Sequence, residues 1–251
     1  MRILLTNDDG IDATGIQVLW QELLKIAEVI VVAPDAERSA ASQAITVHSP
    51  IRVDKYNNVD TRLSGWRIGG TPADCVKLAL EALIPEKPDF VVSGINHGPN
   101  LGTDVLYSGT VSAAIEGSLH GIPAVAVSLD SWGTSDFKPA AIFTATLLKN
   151  MFQLSLPANT LLNVNVPALP AAQLDGVAIT KLGVRQYTNS FEPRLDPRGR
   201  TYYWMGGEIV ENLNDPDSDI VAISNSKISV TPIHFDLTNY NVMEILRTWN
   251  L

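Results

Sequence analysis

Apolar residues in the first 130 positions of the chain follow two alternating patterns. Short runs rich in β-branched residues predict buried strands, and the stretches between them, with apolar residues three or four apart, predict amphipathic helices. The strands are predicted over residues 3–6, 28–33, 89–93 and 123–129, and the helices over 16–26, 71–83 and 111–119. Because apolar strands that alternate with helices form parallel sheets covered on both faces, the pattern predicts an α/β fold with a doubly wound, Rossmann-like and mostly parallel sheet.

One stretch of this first part departs from the alternation. Residues 44–68 contain extended segments with polar gaps, which predict an antiparallel hairpin. The helix that follows has a well-marked start, since Thr71 suits the N-cap, Pro72 the first helical position, and Asp74 the positive end of the helix dipole.

The pattern becomes β-rich after a helix predicted over residues 136–151. Strands are predicted over 161–166, 177–182 and 228–233, a hairpin over 191–205 with its turn at 196–199, and a closing helix over 239–249. We therefore divide the chain into a Rossmann-like core, 1–135, and a C-terminal region, 136–251. Tyr202, Tyr203 and Trp204 fit either a packed face of the hairpin or a contact between subunits.

Composition and charge narrow the class of partner. A formal net charge of −9 argues against a surface for nucleic-acid polymers, which needs clustered Lys and Arg. The single cysteine, Cys75, excludes an internal disulfide and falls in an apolar helical pattern, so we expect it in the core. The N-terminal apolar stretch is too short for a signal peptide, and no apolar run reaches the roughly 18 residues of a membrane helix. We therefore expect a cytoplasmic protein without a membrane partner.

The most unusual polar residues follow the predicted strands, where ligands bind in open α/β sheets. Asp8 and Asp9 stand directly after the first strand. A turn before Gly10 explains one aspartate, but two adjacent carboxylates repel each other unless a positive charge neutralises them. Ser39 and Asn96 follow strands expected beside the first one, and the four side chains together offer the oxygen ligands that select a hard cation such as Mg²⁺, Mn²⁺ or Ca²⁺. The sequence therefore predicts a metal site in the core.

Two alternatives stay open at this site. Ser39 and Asn96, each taken alone, are also common as turn or cap residues. His97 fits a metal ligand or an acid, but it also fits a loop histidine that hydrogen-bonds its own turn.

A second group of residues predicts a phosphate site. Ser108, Gly109 and Thr110 follow a glycine-rich stretch and enter a helix, where free backbone N–H groups and hydroxyls bind anions. A plain N-cap explains the same residues. Asn7, directly before the aspartate pair, is predicted as a further substrate contact. Residues 69–72, GGTP, fit an anion-binding loop or a capped turn equally well. The chain contains no G-x-x-x-x-G-K-[ST] loop, which argues against an ATP-hydrolysing P-loop protein.

Five motifs resemble, in order along the chain, those of the stationary-phase survival protein SurE family. They are NDDG at 7–10, APD at 33–35 with Arg38 and Ser39 after it, GTPADCV at 70–76, SGINHGPN at 93–100 and YSGTVSAA at 107–114. The resemblance is strong over residues 1–130 and loose afterwards.

This resemblance implies a 5′-nucleotidase that hydrolyses nucleoside monophosphates to nucleoside and phosphate, and that extends to 3′-nucleotides and short polyphosphate. It implies one Mg²⁺ or Mn²⁺ per subunit, held by Asp8, Asp9, Ser39 and Asn96, with the phosphate near residues 108–110. It also implies a homodimer or homotetramer that exchanges C-terminal elements, which would suit the region after residue 135. Base preference, the physiological metal and the choice between dimer and tetramer stay open.

The mechanistic hypothesis is attack of an activated water on phosphorus, while N–H groups and hydroxyls around residues 108–110 hold the phosphate oxygens. Asp8 and Asp9 are both candidates for the proton acceptor. Phosphatases that form an aspartyl-phosphate need Asp-x-Asp after the first strand, and receiver domains need an aspartate where this chain has Asn96. A non-catalytic metal- or nucleotide-binding regulatory protein is the remaining alternative, and it predicts no release of phosphate.

Overall fold

The computed structural model describes residues 1–58, 63–133, 136–154, 157, 160–189, 191–211 and 213–249. The boundary that we predict after residue 135 lies outside these residues, as does the middle of the hairpin predicted over residues 44–68.

Thirteen strands and six α-helices form within the described residues. The strands are β1 (Arg2–Thr6), β2 (Glu28–Pro34), β3 (Val53–Asn58), β4 (Leu63–Ile68), β5 (Phe90–His97), β6 (Ala124–Asp130), β7 (Thr160–Pro167), β8 (Val177–Ile179), β9 (Arg185–Thr188), β10 (Phe191–Leu195), β11 (Thr201–Met205), β12 (Glu208–Glu211) and β13 (Ile228–His234). The helices are α1 (Thr14–Leu23), α2 (Pro72–Leu78), α3 (Gly109–Leu119), α4 (Lys138–Gln153), α5 (Asp219–Ser224) and α6 (Tyr240–Arg247). A π-helical turn, Ala79–Leu83, continues α2, and 3₁₀ turns cover Gly102–Leu106 and Ala171–Gln173. None of the helices in the described part of the chain has the length and apolar character needed to cross a membrane.

Nine of these strands form one central sheet in the order β3-β4-β2-β1-β5-β6-β7-β13-β8. The strands from β4 to β7 in this order run parallel. At the margins, β3 pairs antiparallel with β4, β13 pairs antiparallel with β7, and β8 pairs parallel with β13. The prediction of a doubly wound, mostly parallel sheet with additional C-terminal strands is confirmed. Since β7, β8 and β13 follow residue 135, part of the C-terminal region completes the central sheet.

Helices cover both faces of the sheet. Successive side chains of β1 point to opposite sides, so each face has apolar side chains to bury. Leu5 packs in one cluster of buried residues with Leu19 of α1. Leu4 packs in a second cluster with Cys75 of α2 and Val111 of α3. Cys75 is fully buried, as predicted.

Two elements end three residues earlier than their sequence patterns predict. The α1 helix spans Thr14–Leu23, because the chain must turn in time for Glu28 to pair with Arg2 at the start of β2. Strand β8 ends at Ile179, because Lys181 leaves the sheet and forms a bridge with Ser218.

The predicted start of α2 is confirmed. The Thr71 hydroxyl accepts a hydrogen bond from the Asp74 N–H at 3.1 Å, and the Asp74 carboxylate accepts one from the Thr71 N–H at 2.9 Å. Asp74 also accepts hydrogen bonds from the backbone N–H of Thr46 at 2.9 Å and from its hydroxyl at 2.5 Å. The same carboxylate thus caps α2 and anchors the segment that follows Ser39.

The hairpin of β10 and β11 forms over the predicted residues. Tyr202, Tyr203 and Trp204 of β11 are 42%, 63% and 59% exposed. Within the described chain, therefore, these aromatic side chains are not covered as a packed hairpin face would be.

Candidate active site

The carboxyl ends of β1, β2 and β5 open into one cleft of about 640 Å³. Because these strands are neighbours in the parallel part of the sheet, the segments that follow them meet at the same edge. Asp8, Ser39, Asn96 and Ser108 line the cleft, so four of the predicted site residues come together. No Lys or Arg is among the described residues that line it.

Asp8 is the buried member of the carboxylate pair, with 5% of its surface exposed. Its Oδ1 accepts a hydrogen bond from the Thr110 hydroxyl at 2.7 Å. A Cβ added at Gly109 would lie 2.9 Å from Oδ2 of Asp8, so the glycine lets α3 begin close to the carboxylate. The Asp8 carbonyl accepts a hydrogen bond from the Arg38 N–H at 2.7 Å. Asp8 therefore joins the end of β1 to the start of α3 and to the segment after β2.

Burial makes the charged form of both aspartates costly. It raises the pKa of Asp8 to about 6, while the hydrogen bond from Thr110 lowers this pKa and the charge of Asp9 raises it. Burial also raises the pKa of Asp9, where the N–H of His97 acts against the shift and the charge of Glu37 adds to it. A bound divalent cation would relieve both the burial and the repulsion. The pair therefore fits a cation site.

Asp9 is half-buried and accepts a hydrogen bond from the end of β5. Its Oδ2 accepts a hydrogen bond from the backbone N–H of His97 at 3.0 Å. The His97 ring turns to other partners, with Nε2 at 2.7 Å from the Gly133 carbonyl and its edge toward Phe137. The backbone of His97, rather than its ring, thus supports the aspartate pair.

Ser39 and Asn96 bring neutral oxygens to the cleft. Ser39 is exposed and donates its hydroxyl proton to Oε1 of Glu37 at 2.5 Å. The side-chain nitrogen of Asn96 donates to the Gly98 carbonyl at 2.7 Å, so this hydrogen bond orients the amide without using its oxygen. The described residues contain no group of three or more His, Cys, Asp or Glu side chains that could hold a metal ion. A cation beside the aspartate pair therefore depends on such neutral oxygens.

The predicted phosphate loop has a structural role in addition to its place in the cleft. Ser108 caps α3, since its hydroxyl accepts a hydrogen bond from the Val111 N–H at 3.0 Å. Thr110 is fully buried and directs its hydroxyl to Asp8. Asn7 is also fully buried and donates its side-chain N–H to the Gly10 carbonyl at 2.8 Å. The two hydroxyls thus hold the loop and Asp8 in place, and the N-terminal N–H groups of α3 are the part suited to an anion.

Comparison with known proteins identifies the family. The family described as Survival protein SurE matches residues 3–189 of the chain. The chain belongs to the SurE family. A protein named 5′-nucleotidase SurE from Heliobacterium modesticaldum is 54% identical over 249 residues, which cover 99% of this chain and 92% of the relative. One of the same name from Syntrophomonas wolfei subsp. wolfei is 56% identical over 248 residues, covering 98% of this chain and 94% of the relative. The crystal structure of the SurE protein from Aquifex aeolicus matches with a TM-score of 0.86 and 38% identity over 98% of both chains. The resemblance inferred from the five motifs is confirmed.

This SurE-family chain has a buried amide network behind the cleft, which we did not predict. The Asn100 N–H donates to Oδ1 of Asn165 at 2.8 Å, and the Asn100 carbonyl accepts from the amides of Asn163 at 2.8 Å and Asn165 at 3.0 Å. The Asn100 amide nitrogen lies 3.4 Å from the Thr110 hydroxyl. The network therefore supports the hydroxyl that holds Asp8. Its signal in the sequence is a pair of asparagines at alternating positions of an otherwise apolar strand.

Asp104 forms a second unpredicted group, in the lining of the cleft of this family member. Its Oδ2 accepts hydrogen bonds from the Tyr187 hydroxyl at 2.6 Å and from Nη1 of Arg185 at 3.1 Å. Asp104 lies in the 3₁₀ turn that leads to Ser108, whereas both partners belong to β9. The C-terminal region thus stabilises the approach to α3.

Asp8→Asn is expected to stabilise the metal-free protein near neutral pH. The folded-state pKa of about 6 lies above the ordinary value of 3.8, so the contribution of Asp8 to stability becomes less favourable as the pH rises from about 4 to about 6. Asparagine removes the charge, can still accept the Thr110 hydrogen bond, and should recover roughly 2–4 kcal/mol, or roughly 5–10 °C in Tm. Thermal unfolding in EDTA, near pH 7.5 and near pH 4, measures the difference.

The matched control is Asp12→Asn, because the Asp12 side chain is 65% exposed and pairs with Arg67. Its Tm should stay close to the wild-type value in both buffers. If Asp8→Asn differs from the wild type by the same amount at both pH values, the charge of Asp8 is not the cause of the instability.

Proposed function

We propose that the chain hydrolyses nucleoside 5′-monophosphates to nucleoside and phosphate, with one divalent cation per subunit. Relatives more than half identical to it are named 5′-nucleotidase SurE, and the chain is an enzyme of that class. The main support for the proposal is the uncompensated negative charge at the cleft. Asp8 lies at the N-terminus of α3 with Asp9 beside it, and the described lining residues include no Lys or Arg to balance them.

The cation is proposed to be Mg²⁺ or Mn²⁺, held by Asp8, Asp9, Ser39 and Asn96, because all four side chains offer oxygen. When bound, such a cation neutralises charge on phosphoryl oxygens and makes water more acidic. Without a cation, a phosphate dianion would meet two carboxylates in a partly buried site, which opposes binding.

The chain's own groups position the substrate and the aspartates. The N-terminus of α3, at Ser108 to Thr110, offers backbone N–H groups and the positive end of the helix dipole to phosphate oxygens. The Thr110 hydroxyl fixes the orientation of Asp8, and Asn7 holds the turn at Gly10 from behind. Asp8 and Asp9 are the two candidates for the proton acceptor of an attacking water, and the choice between them stays open.

Two extensions of this proposal follow from its physical basis. A cation and a helix N-terminus recognise the phosphate group rather than the position of its ester, so we extend the substrates to 3′-nucleotides and short polyphosphate. We also propose a homodimer or homotetramer in which the β10–β11 hairpin and α6 contact a second subunit. Both elements expose large apolar side chains, including Trp204 at 59% and Ile245 at 56%. A cytoplasmic location agrees with the unpaired, buried Cys75.

Release of phosphate from AMP is expected to require a divalent cation. EDTA should lower the rate at least about a hundredfold, since stabilisation of transition-state charge by a cation is worth several kcal/mol. Excess Mg²⁺ or Mn²⁺ should restore the rate. A colorimetric phosphate assay with and without chelator measures both effects, and equal rates in the two conditions would refute metal dependence.

The same assay distinguishes the proposed nucleotidase from a non-catalytic regulatory protein. A non-catalytic nucleotide-binding protein would bind AMP in calorimetry but release no phosphate with any metal. A panel of 5′- and 3′-nucleotides and short polyphosphates, each with Mg²⁺, Mn²⁺ and Ca²⁺, then measures how far the substrate range extends.

A further inference from the structure

We propose that the nucleobase of the substrate stacks on Trp132 and contacts Tyr107, so that the cleft recognises the base by its flat surface. This inference rests on the proposed function and deepens it. It names the part of the same cleft that distinguishes a nucleotide from other phosphate esters.

Both aromatic side chains line the cleft and are open to solvent. Trp132 is 75% exposed and Tyr107 is 66% exposed. Aromatic side chains contribute most when their apolar area is covered, so a tryptophan left this open in a ligand cleft offers a face to a flat partner. A nucleobase has two such faces, and its stacking on aromatic rings is favourable for every base.

The position of Trp132 connects the aromatic subsite to the proposed metal ligands. A Cβ added at Gly98 would lie 3.0 Å from Cη2 and Cζ3 of Trp132, so the indole packs on the Gly98 backbone. Gly98 also has a φ of +117°, which favours glycine. The carbonyl of this glycine holds the side-chain nitrogen of Asn96 at 2.7 Å. One loop thus carries the Asn96 oxygen and supports the tryptophan ring.

Tyr107 connects the subsite to the phosphate loop. It directly precedes Ser108, the N-cap of α3. Its carbonyl accepts a hydrogen bond from the Ser42 N–H at 3.1 Å, and its N–H donates to the Asp104 carbonyl at 3.0 Å. The backbone is therefore fixed while the ring remains exposed, so a phosphate at the start of α3 would have this ring as a neighbour.

The size of the cleft agrees with a nucleotide rather than a lone phosphate. Its volume of about 640 Å³ lies within the range of about 300–1,000 Å³ that holds small-molecule ligands. The buried Asp8 and the exposed ring of Trp132 both line this cleft. A nucleotide with its phosphate beside Asp8 and α3 would therefore direct its base toward the two aromatic residues.

The test compares AMP with ribose 5-phosphate, which presents the same phosphate ester without a base. Trp132→Ala should lower kcat/KM for AMP about tenfold, mainly through KM, because stacking on one aromatic ring contributes on this scale. The value for ribose 5-phosphate should change less than about twofold, and Trp132→Phe should retain most of the activity on AMP. The control is Phe152→Ala, since Phe152 is 58% exposed and lies outside the cleft lining.

Two results would overturn the proposal: an equal loss on both substrates, which would make Trp132 a support of the loop, or no loss on AMP. If circular dichroism shows that Trp132→Ala does not fold, Tyr107→Ala takes its place. The same comparison then applies, between its loss of kcat/KM on AMP and its loss on ribose 5-phosphate. A wild-type chain that releases phosphate from neither substrate would refute the proposed function instead. In that case, calorimetry tests whether the base stacks on Trp132. Tighter binding of AMP than of ribose 5-phosphate supports the proposal if the difference is lost in Trp132→Ala. Equal binding of the two ligands overturns it.

Discussion

At the Mn²⁺ concentration that just saturates the wild-type protein, Asp8→Asn and Asp9→Asn are each expected to lower the turnover of AMP by on the order of a thousandfold. Each substitution removes one negative charge from a pair that we propose to hold the cation. Asparagine has the size of aspartate, and at position 8 it can still accept the Thr110 hydrogen bond. The loss should therefore reflect charge rather than a change of fold.

A titration with Mn²⁺ separates the two roles open to each aspartate. If an aspartate acts only as a ligand, its Asn variant should regain activity as the Mn²⁺ concentration rises, because the remaining donors still bind the ion weakly. If it also accepts the proton of water, activity should stay low at every concentration. Asp12→Asn provides the control, since Asp12 is close in sequence, is 65% exposed and pairs with Arg67. Near-normal turnover of both Asp8→Asn and Asp9→Asn at the Mn²⁺ concentration that just saturates the wild-type protein would refute the proposed site.

The expected effects of Asp8→Asn on activity and on metal-free stability have opposite signs. Asp8 is 5% exposed, and burial is the largest cause of its raised pKa. A residue selected only for folding would not carry a charge in this position. A charge that destabilises the empty site but suits a cation is the pattern expected of a functional residue.

Local patterns in the sequence predict those parts of the fold that depend on neighbours in the chain. The strand before Asp8 follows from a short apolar run, and the start of α2 follows from Thr71, Pro72 and Asp74. The end of α1 does not follow from periodicity, because it depends on the pairing of Glu28 with Arg2. The neighbours of β13 in the sheet also depend on pairing with distant segments, which a local pattern does not contain.

The same distinction applies to the site. Asp8 and Asn96 could be proposed from position alone, since the carboxyl ends of neighbouring parallel strands meet at one edge. The partner of Thr110 could not be deduced in this way. Its hydroxyl suits phosphate binding in the sequence, yet in the structure it donates to Asp8, which is 102 positions away. The contact between Trp132 and Gly98 is equally hidden, because no spacing rule connects them.

Gly109→Ala is expected to lower kcat/KM for AMP by on the order of a hundredfold, although alanine favours helices more than glycine does. The added Cβ would lie 2.8 Å from the Asp8 Cβ and 2.9 Å from its Oδ2, so Asp8 or the start of α3 must move. Overpacking of this kind costs about 1–3 kcal/mol, which exceeds the gain of roughly 0.5–1 kcal/mol in helix propensity. Steady-state kinetics and thermal unfolding should therefore show lower activity and lower stability together. The control is Gly206→Ala, where the added Cβ has no heavy atom within 4 Å among the described residues.

A double variant tests whether Gly109→Ala acts through Asp8. If the alanine displaces the carboxylate, Asp8→Asn combined with Gly109→Ala should be little less active than Asp8→Asn alone, because both changes remove the same interaction. If the alanine instead blocks the phosphate at the start of α3, the two losses should multiply. Kinetics of the two single variants and the double variant, at one Mn²⁺ concentration, distinguish these outcomes. If the losses multiply, Gly109 is needed for phosphate binding at α3 and not for the geometry of the metal site. If the double variant is little worse than Asp8→Asn alone, Gly109 acts by keeping Asp8 in position.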